Sequence, residues 1–160
     1  MGTAHLAATL KWLRNPRLRS LIDASATPTP TMNRRYWQRN WRDETRLDFA
    51  VLNSDGEHVG NCGLMRIDRV RKKAELWIYL GAQRGREIGS HAVRLLLERA
   101  FRLLRLHRVY LRVVATNPGA VRFHRRLGFR QEGVSRHDSR IGKKWVDSIA
   151  FSMLASEYRH

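Results

Sequence analysis

Apolar residues recur at Val93, Leu96, Leu97, Ala100, Phe101 and Leu104, three and four positions apart, while Arg94, Glu98, Arg102 and Arg105 occupy the opposite side. That spacing predicts an amphipathic helix from Ser90 to about Leu104 with one face toward a core. Elsewhere the pattern shortens to period two or to brief apolar runs. Leu47 to Leu52, His58 to Ile67, Ala74 to Leu80 and Val109 to Ala115 read as strands, and Asn53-Ser54-Asp55-Gly56 turns the first into the second. A charged turn, Asp68 to Lys73, leads into the third. Phe129 opens a further strand, and alternation through Ile149, Phe151 and Met153 predicts its return over Trp145 to Leu154. Upstream, Asn15-Pro16 reads as a cap and first helical residue of a short helix through Leu21 and Ile22. Thr27-Pro28-Thr29-Pro30 is a stiff connector that cannot continue a helix, and Tyr36, Trp37 and Trp41 share one face of the helix that follows. Strands early and late with helices between them imply one mixed α/β domain over residues 1–160.

The formal net charge of +17 rests almost wholly on arginine, since lysine occurs only at Lys11, Lys72, Lys73, Lys143 and Lys144. Such a field attracts polyanions: a phosphorylated small molecule, an anionic surface, or nucleic acid bound nonspecifically. Solvated helix faces rich in arginine are the alternative source of the same charge. A lone Cys62 leaves no intramolecular disulfide and no cysteine cluster, which points to a reducing compartment. The histidines show no zinc-ligand spacing, so no metal is expected. No apolar run approaches the roughly 20 residues that cross a bilayer, and Leu6-Ala7-Ala8-Thr9-Leu10 is too short for a signal peptide, so cytoplasm is the expected location.

The chemistry concentrates between Ala74 and Phe129. A strand runs into Arg84-Gly85-Arg86-Glu87-Ile88-Gly89 and then into Ser90 and its helix. Glycines before a helix N-terminus let backbone N–H groups approach a phosphate, where the helix dipole adds partial positive charge. Further on, Asn117-x-x-Ala120-Val121-x-Phe123-His124-x-Arg126-Leu127-Gly128-Phe129 has a capping Asn, a Pro in the first turn and a terminating Gly. Taken together, the loop resembles the Arg/Gln-x-x-Gly-x-Gly/Ala pyrophosphate loop, and the second motif the Asn-x-x-Ala-Ile-x-x-Tyr-x-Lys-x-Gly-Phe pattern, of the GNAT N-acetyltransferases. The stretches from Trp12 to Arg19, Val59 to Ile67 and Gly133 to Asp147 resemble the branch that acetylates ribosomal-protein alanines, spermidine and amino sugars.

The resemblance implies a single-domain α/β GNAT fold, a mixed central sheet splayed at the cofactor-binding strand and flanked by helices. It implies acetyl-CoA as cofactor, held by the backbone of Ile78, Tyr79 and Leu80, by Arg84, Gly85, Arg86, Glu87, Ile88, Gly89 and Ser90, and by Asn117, Phe123 and Arg126. The family's usual first strand would fall on a short run from His5, with residues 1–10 disordered or a remnant of it. Glu87 stands where the family has glycine, a strained site if its φ is positive. Glu75 is the candidate base, or else a strand carboxylate paired with arginine. His124 stands where the family places the tyrosine that protonates the departing thiolate, or else it packs on the cofactor.

The acceptor expected on this resemblance is a primary amine of a small molecule, phosphorylated ones included, with a nucleotide-linked amino sugar slightly preferred. Acetylation of a protein N-terminus and a non-catalytic nucleic-acid-binding scaffold are the alternatives. A homodimer is compatible with either enzyme reading.

Overall fold

The computed structural model describes residues 3–24, 26–82 and 86–159. Six strands form one sheet in the order β1-β2-β3-β4-β6-β5. They are β1 (Leu47–Leu52), β2 (His58–Asp68), β3 (Lys73–Leu80), β4 (Arg108–Val114), β5 (Arg130–Ile141) and β6 (Lys144–Leu154). Every neighbouring pair is antiparallel except β3 and β4, which run parallel and pair only at Lys73↔Arg108, Ala74↔Val109 and Glu75↔Tyr110. Beyond Glu75 the two strands part, and the splayed mixed sheet expected from the sequence is present. Residues 76–80 of β3 keep their antiparallel ladder to β2 but have no β4 partner.

The helix expected from Ser90 starts four residues earlier, as α4 (Arg86–Glu98), so Arg86 to Gly89 of the expected loop are helical. Its last turn widens into a π-helix at Arg99–Leu103, where Leu104 N–H bonds to Arg99 C=O at 2.9 Å. The apolar stripe does what its period predicts. Val93, Leu96, Leu97 and Ala100 are buried with Leu64, Leu76, Val109, Leu111 and Phe151 in one continuous core.

The N-terminal helices lie against β2 and β3. Here α1 (Leu6–Leu13) replaces the strand remnant expected near His5. The helix is fixed by tertiary contacts on one face: Thr9 is fully buried, its Oγ1 donating to His5 C=O and accepting from Asn61 Nδ2 of β2, both at 2.9 Å, and Trp12 is buried on the following turn. In α2 (Pro16–Leu21), Asn15 caps the N–H groups of Arg17 and Leu18, and in α3 (Pro30–Asn40) Thr29 caps Met32. Pro30 is thus the first residue of a helix, not the end of the connector. The final helix, α5 (Pro118–Arg126), is capped by Asn117 and stopped by Gly128 at φ +91°.

One close approach fastens α1 to the sheet. The Trp12 indole lies directly on Gly81, where a Cβ would come within 1.9 Å of the ring. Gly81 N–H and Ala82 N–H both bond to Val59 C=O, so the backbone leaving β3 is held from below while Trp12 covers it from above. Gly81→Ala is expected to cost about 1–3 kcal/mol by overpacking, and Trp12→Ala about 3–5 kcal/mol by truncation. In urea unfolding of the two variants and their combination, the double variant should lose clearly less than the sum. Strict additivity would mean that the ring yields to a methyl group at no cost.

Candidate active site

The parting of β3 from β4 opens a cavity of about 1020 Å³. Its walls come from β3 (Glu75 through Leu80), β4 (Leu111 through Val114), α5 (Ala120, Phe123, His124, Arg126) and Gly89 of α4. Its far end is closed by α2, the residues after it, and Tyr36 and Trp37 of α3. Gly89, the last residue of the first sequence motif, meets the second motif at this cavity. A Cβ on Gly89 would stand 3.4 Å from Phe123 Cζ and 3.7 Å from Leu80 Cδ1, ordinary contact distances, so α4, α5 and β3 converge at this residue.

Of the expected cofactor residues, Ile78, Tyr79 and Leu80 line the cavity on the unpaired stretch of β3. Strand geometry turns the backbone groups of alternate residues toward the missing neighbour, so N–H and C=O groups face the cleft. Arg84 and Gly85 lie outside the described residues. Arg86 opens α4, and Glu87, Ile88, Gly89 and Ser90 complete its first turns.

That placement removes the strain argument for Glu87. The residue is exposed and helical, and right-handed helical backbone suits any side chain. Its carboxylate instead complements the positive end of the α4 dipole.

Asn117 uses both ends of its amide: Oδ1 accepts from Ala120 N–H at 3.1 Å, and Nδ2 donates to Leu21 C=O at 3.3 Å. It therefore ties the end of α2 to the start of α5. Phe123 and Arg126 line the cavity, Arg126 with an exposed side chain.

Glu75 is 6% exposed, on the cavity wall, and its carboxylate is ion-paired with Arg66. Of the two descriptions drawn from the sequence, the pairing with arginine is present, and the carboxylate also lies on the cavity wall. Arg66 sits at φ +52°, a conformation costing on the order of 1 kcal/mol that is retained here beside the cavity.

His124 is 5% exposed, with Phe123, Phe129 and Phe151 at ring-centroid distances of 4.9, 5.5 and 6.5 Å. Its Nδ1 is buried without a hydrogen-bond partner among the described residues. Burial among these rings pushes its pKa down to about 4. At neutral pH the imidazole is neutral. It can offer an N–H as a hydrogen-bond donor, but it carries no readily transferred proton.

Tyr79 belongs to a polar cluster that sequence reasoning did not find. Asn61 Nδ2 donates to Tyr79 Oη at 2.7 Å and to Thr9 Oγ1 at 2.9 Å, and Asn61 Oδ1 lies 2.8 Å from His58 Nε2. Burial pushes the Tyr79 phenol up to about 12, so it stays protonated. The Cys62 thiol is likewise pushed up to about 12 by burial and is not a nucleophile. Of the N-terminal aromatics, Tyr36 and Trp37 line the cavity, Trp12 packs on Gly81, and Trp41 is 40% exposed. Among the described residues no group of His, Cys, Asp and Glu could hold a metal ion, and no helix is long and apolar enough to cross a membrane.

A splayed parallel pair, with a capped helix and a glycine-bearing helix start converging on the cleft, is the architecture of an acyl-CoA-binding acetyltransferase. Residues 1–130 match the acetyltransferase (GNAT) domain family, and the chain belongs to it. It is 28% identical over 123 residues to spermidine N(1)-acetyltransferase of Escherichia coli K12, covering 76% of this chain and 66% of that protein. It is 31% identical over 114 residues to the uncharacterized N-acetyltransferase p20 of Bacillus licheniformis, covering 71% and 64%. The chain thus spans just under two thirds of the length of these curated relatives. A crystal structure of spermidine N-acetyltransferase from Vibrio cholerae, in complex with CoA and spermine, superposes with a TM-score of 0.91 at 22% identity, covering 99% of this chain and 94% of that one. At that identity the likeness concerns the fold.

The buried neutral His124 couples stability to pH. Its folded pKa lies below its ordinary 6.5, so between 6.5 and about 4 the unfolded chain binds a proton that the folded chain refuses. The resulting stability is complete above 6.5 and declines by up to about 3 kcal/mol as pH falls toward 4. Chemical denaturation of the parent and His124→Phe at pH 7.5, 6, 5 and 4.5 should show their stability difference shifting toward the variant in acid. A pH-independent difference would mean that the ring is freely protonated in the fold.

Proposed function

We propose that this protein is an acetyl-CoA-dependent N-acetyltransferase that acetylates a primary amine of a small molecule. The observation that carries the reading is the unpaired edge of β3 facing a cavity shared with α4 and α5. The residues present fit the cofactor: a polar backbone edge at Ile78 to Leu80, a helix N-terminus at Glu87 to Ser90, and Phe123 and Arg126 on the facing helix. Arg84, Gly85 and Arg86 would complete the pyrophosphate cradle, with Asn117 setting the start of α5. When bound, acetyl-CoA supplies an activated acetyl group and a thiolate leaving group.

The chain's own part is positional and electrostatic. Backbone N–H groups along residues 76–80 are preorganised donors for negative charge developing on a carbonyl oxygen. Glu75, held in place by Arg66, is the candidate to take the proton of the attacking amine, directly or through water. His124, neutral at working pH, would donate a hydrogen bond toward the leaving group, so its role is stabilisation of charge more than proton transfer. The wall of Tyr36, Trp37 and Tyr79 confines the acceptor. The field of +17 favours acceptors that carry anionic groups, which is the remaining support for a phosphorylated or nucleotide-linked amine. The acceptor named among the relatives is spermidine; none of those described above is named for an amino sugar.

Purified protein with acetyl-CoA and a thiol-detecting reagent tests the reading against polyamines, amino sugars, nucleotide-linked amino sugars and peptide N-termini. Amine-dependent thiol release is expected from at least one class. Glu75→Gln should reduce turnover about 10²-fold while leaving acetyl-CoA affinity within about threefold. Parent-like turnover in this variant would remove Glu75 from the chemistry.

A further inference from the structure

The acidic groups that line the cavity differ in what holds them. Glu75 is ion-paired with Arg66, and Asp138 with Arg112 at 3.2 Å. Asp23 also lines the cavity, yet no cationic side chain among the described residues lies within ion-pair distance of it. Its Oδ2 instead accepts a hydrogen bond from Ser139 Oγ at 2.8 Å. That hydroxyl is only 4% exposed and sits 3.1 Å from Ser148 Oγ, itself 2% exposed, so a buried hydroxyl pair fixes where the carboxylate points.

Asp23 follows the end of α2 at φ +55°, a left-handed conformation that Asp takes more readily than most residues. One further feature shows that the position is held in place. Two residues before it, Leu21 C=O accepts from Asn117 Nδ2, so the segment after α2 is strapped both to α5 and to β5. Asp23 itself is solvent-exposed and therefore lies at the rim of the cavity, where an acceptor enters.

An uncompensated carboxylate on a chain of charge +17 is a place for one cation. We infer that Asp23 receives the ammonium of the incoming acceptor, with Ser139 setting its aim, and that the site accordingly selects amines bearing a single ammonium over polyamines. Three positive charges, as on spermidine, would meet one free carboxylate, because the other two on the cavity wall are already paired with Arg66 and Arg112. The ammonium then gives a proton to bulk water at the rim, and the free amine advances toward Glu75, which takes the second proton released on attack. This inference rests on the acetyltransferase reading above and names the acceptor class for the same site.

The test compares the parent, Asp23→Asn and Asp23→Glu with the best acceptor from the amine panel, with butylamine as a reference monoamine and with spermidine. Asparagine still accepts from Ser139 and tolerates a positive φ, so Asp23→Asn removes the charge and keeps the geometry. The expected result is a rise of about 10-fold or more in acceptor KM for Asp23→Asn, with kcat and acetyl-CoA affinity little changed and partial recovery in Asp23→Glu. The parent should show a higher kcat/KM for monoamines than for spermidine. If none of the panel amines makes the parent release thiol from acetyl-CoA, the acetyltransferase reading falls, and this inference with it. If the parent is active and Asp23→Asn keeps its acceptor KM, only the role of Asp23 is overturned. A preference for spermidine would overturn the single-ammonium selectivity.

Discussion

Everything at the site depends on how briefly β3 and β4 are paired. Three residues of parallel ladder join them, after which each strand follows a different neighbour: β3 stays with β2, and β4 is paired along its whole length with β6. A buried backbone N–H or C=O without a partner costs about 1–3 kcal/mol, so a strand edge left open inside a domain is stable only where water or a ligand can reach it. The cavity provides that access. Because the edge is rigid on its β2 side, its free donors and acceptors are fixed in position before anything binds.

The rest of the molecule braces the opening. At Gly89 α4 approaches Phe123 and Leu80, and Asn117 joins α5 to the end of α2. Trp12 presses on Gly81 just where β3 ends. On the β4–β6–β5 half of the sheet, Arg108 with Glu132 and Arg112 with Asp138 neutralise each other across strands. The strong positive field is thus one of unpaired arginines on the outer surface, while the cavity wall is close to balanced. This is why a net charge of +17 speaks about approach and selectivity more than about catalysis.

Two of the polar groups at the site are defined by burial. His124 lies among three phenylalanine rings and remains neutral, and Tyr79 remains a phenol tied to Asn61. Both can donate hydrogen bonds over the whole neutral range without changing charge. A site built this way offers fixed dipoles, while its ionised groups at Glu75 and Arg66 are held to each other on the β3 wall.

Local pattern determined much of this protein. The period of Val93 to Leu104 gave the amphipathic helix, alternation gave the strands, and Asn15, Asn117 and Gly128 marked helix ends, because each of these signals acts within a few residues. The glycine loop and the Asn117 motif likewise marked the cleft by their order along the chain. Tertiary structure alone decided the rest. Whether the segment after His5 was strand or helix depended on what buries Thr9 and Trp12, including the bond from Asn61 of β2. Whether Glu87 was strained depended on where α4 began. The protonation of His124 depended on rings contributed by Phe129 and Phe151, and the bond between Asp23 and Ser139 joins residues 116 positions apart. Spacing along a chain does not encode such contacts; they arise when a sheet brings distant strands together and burial sets which charges survive.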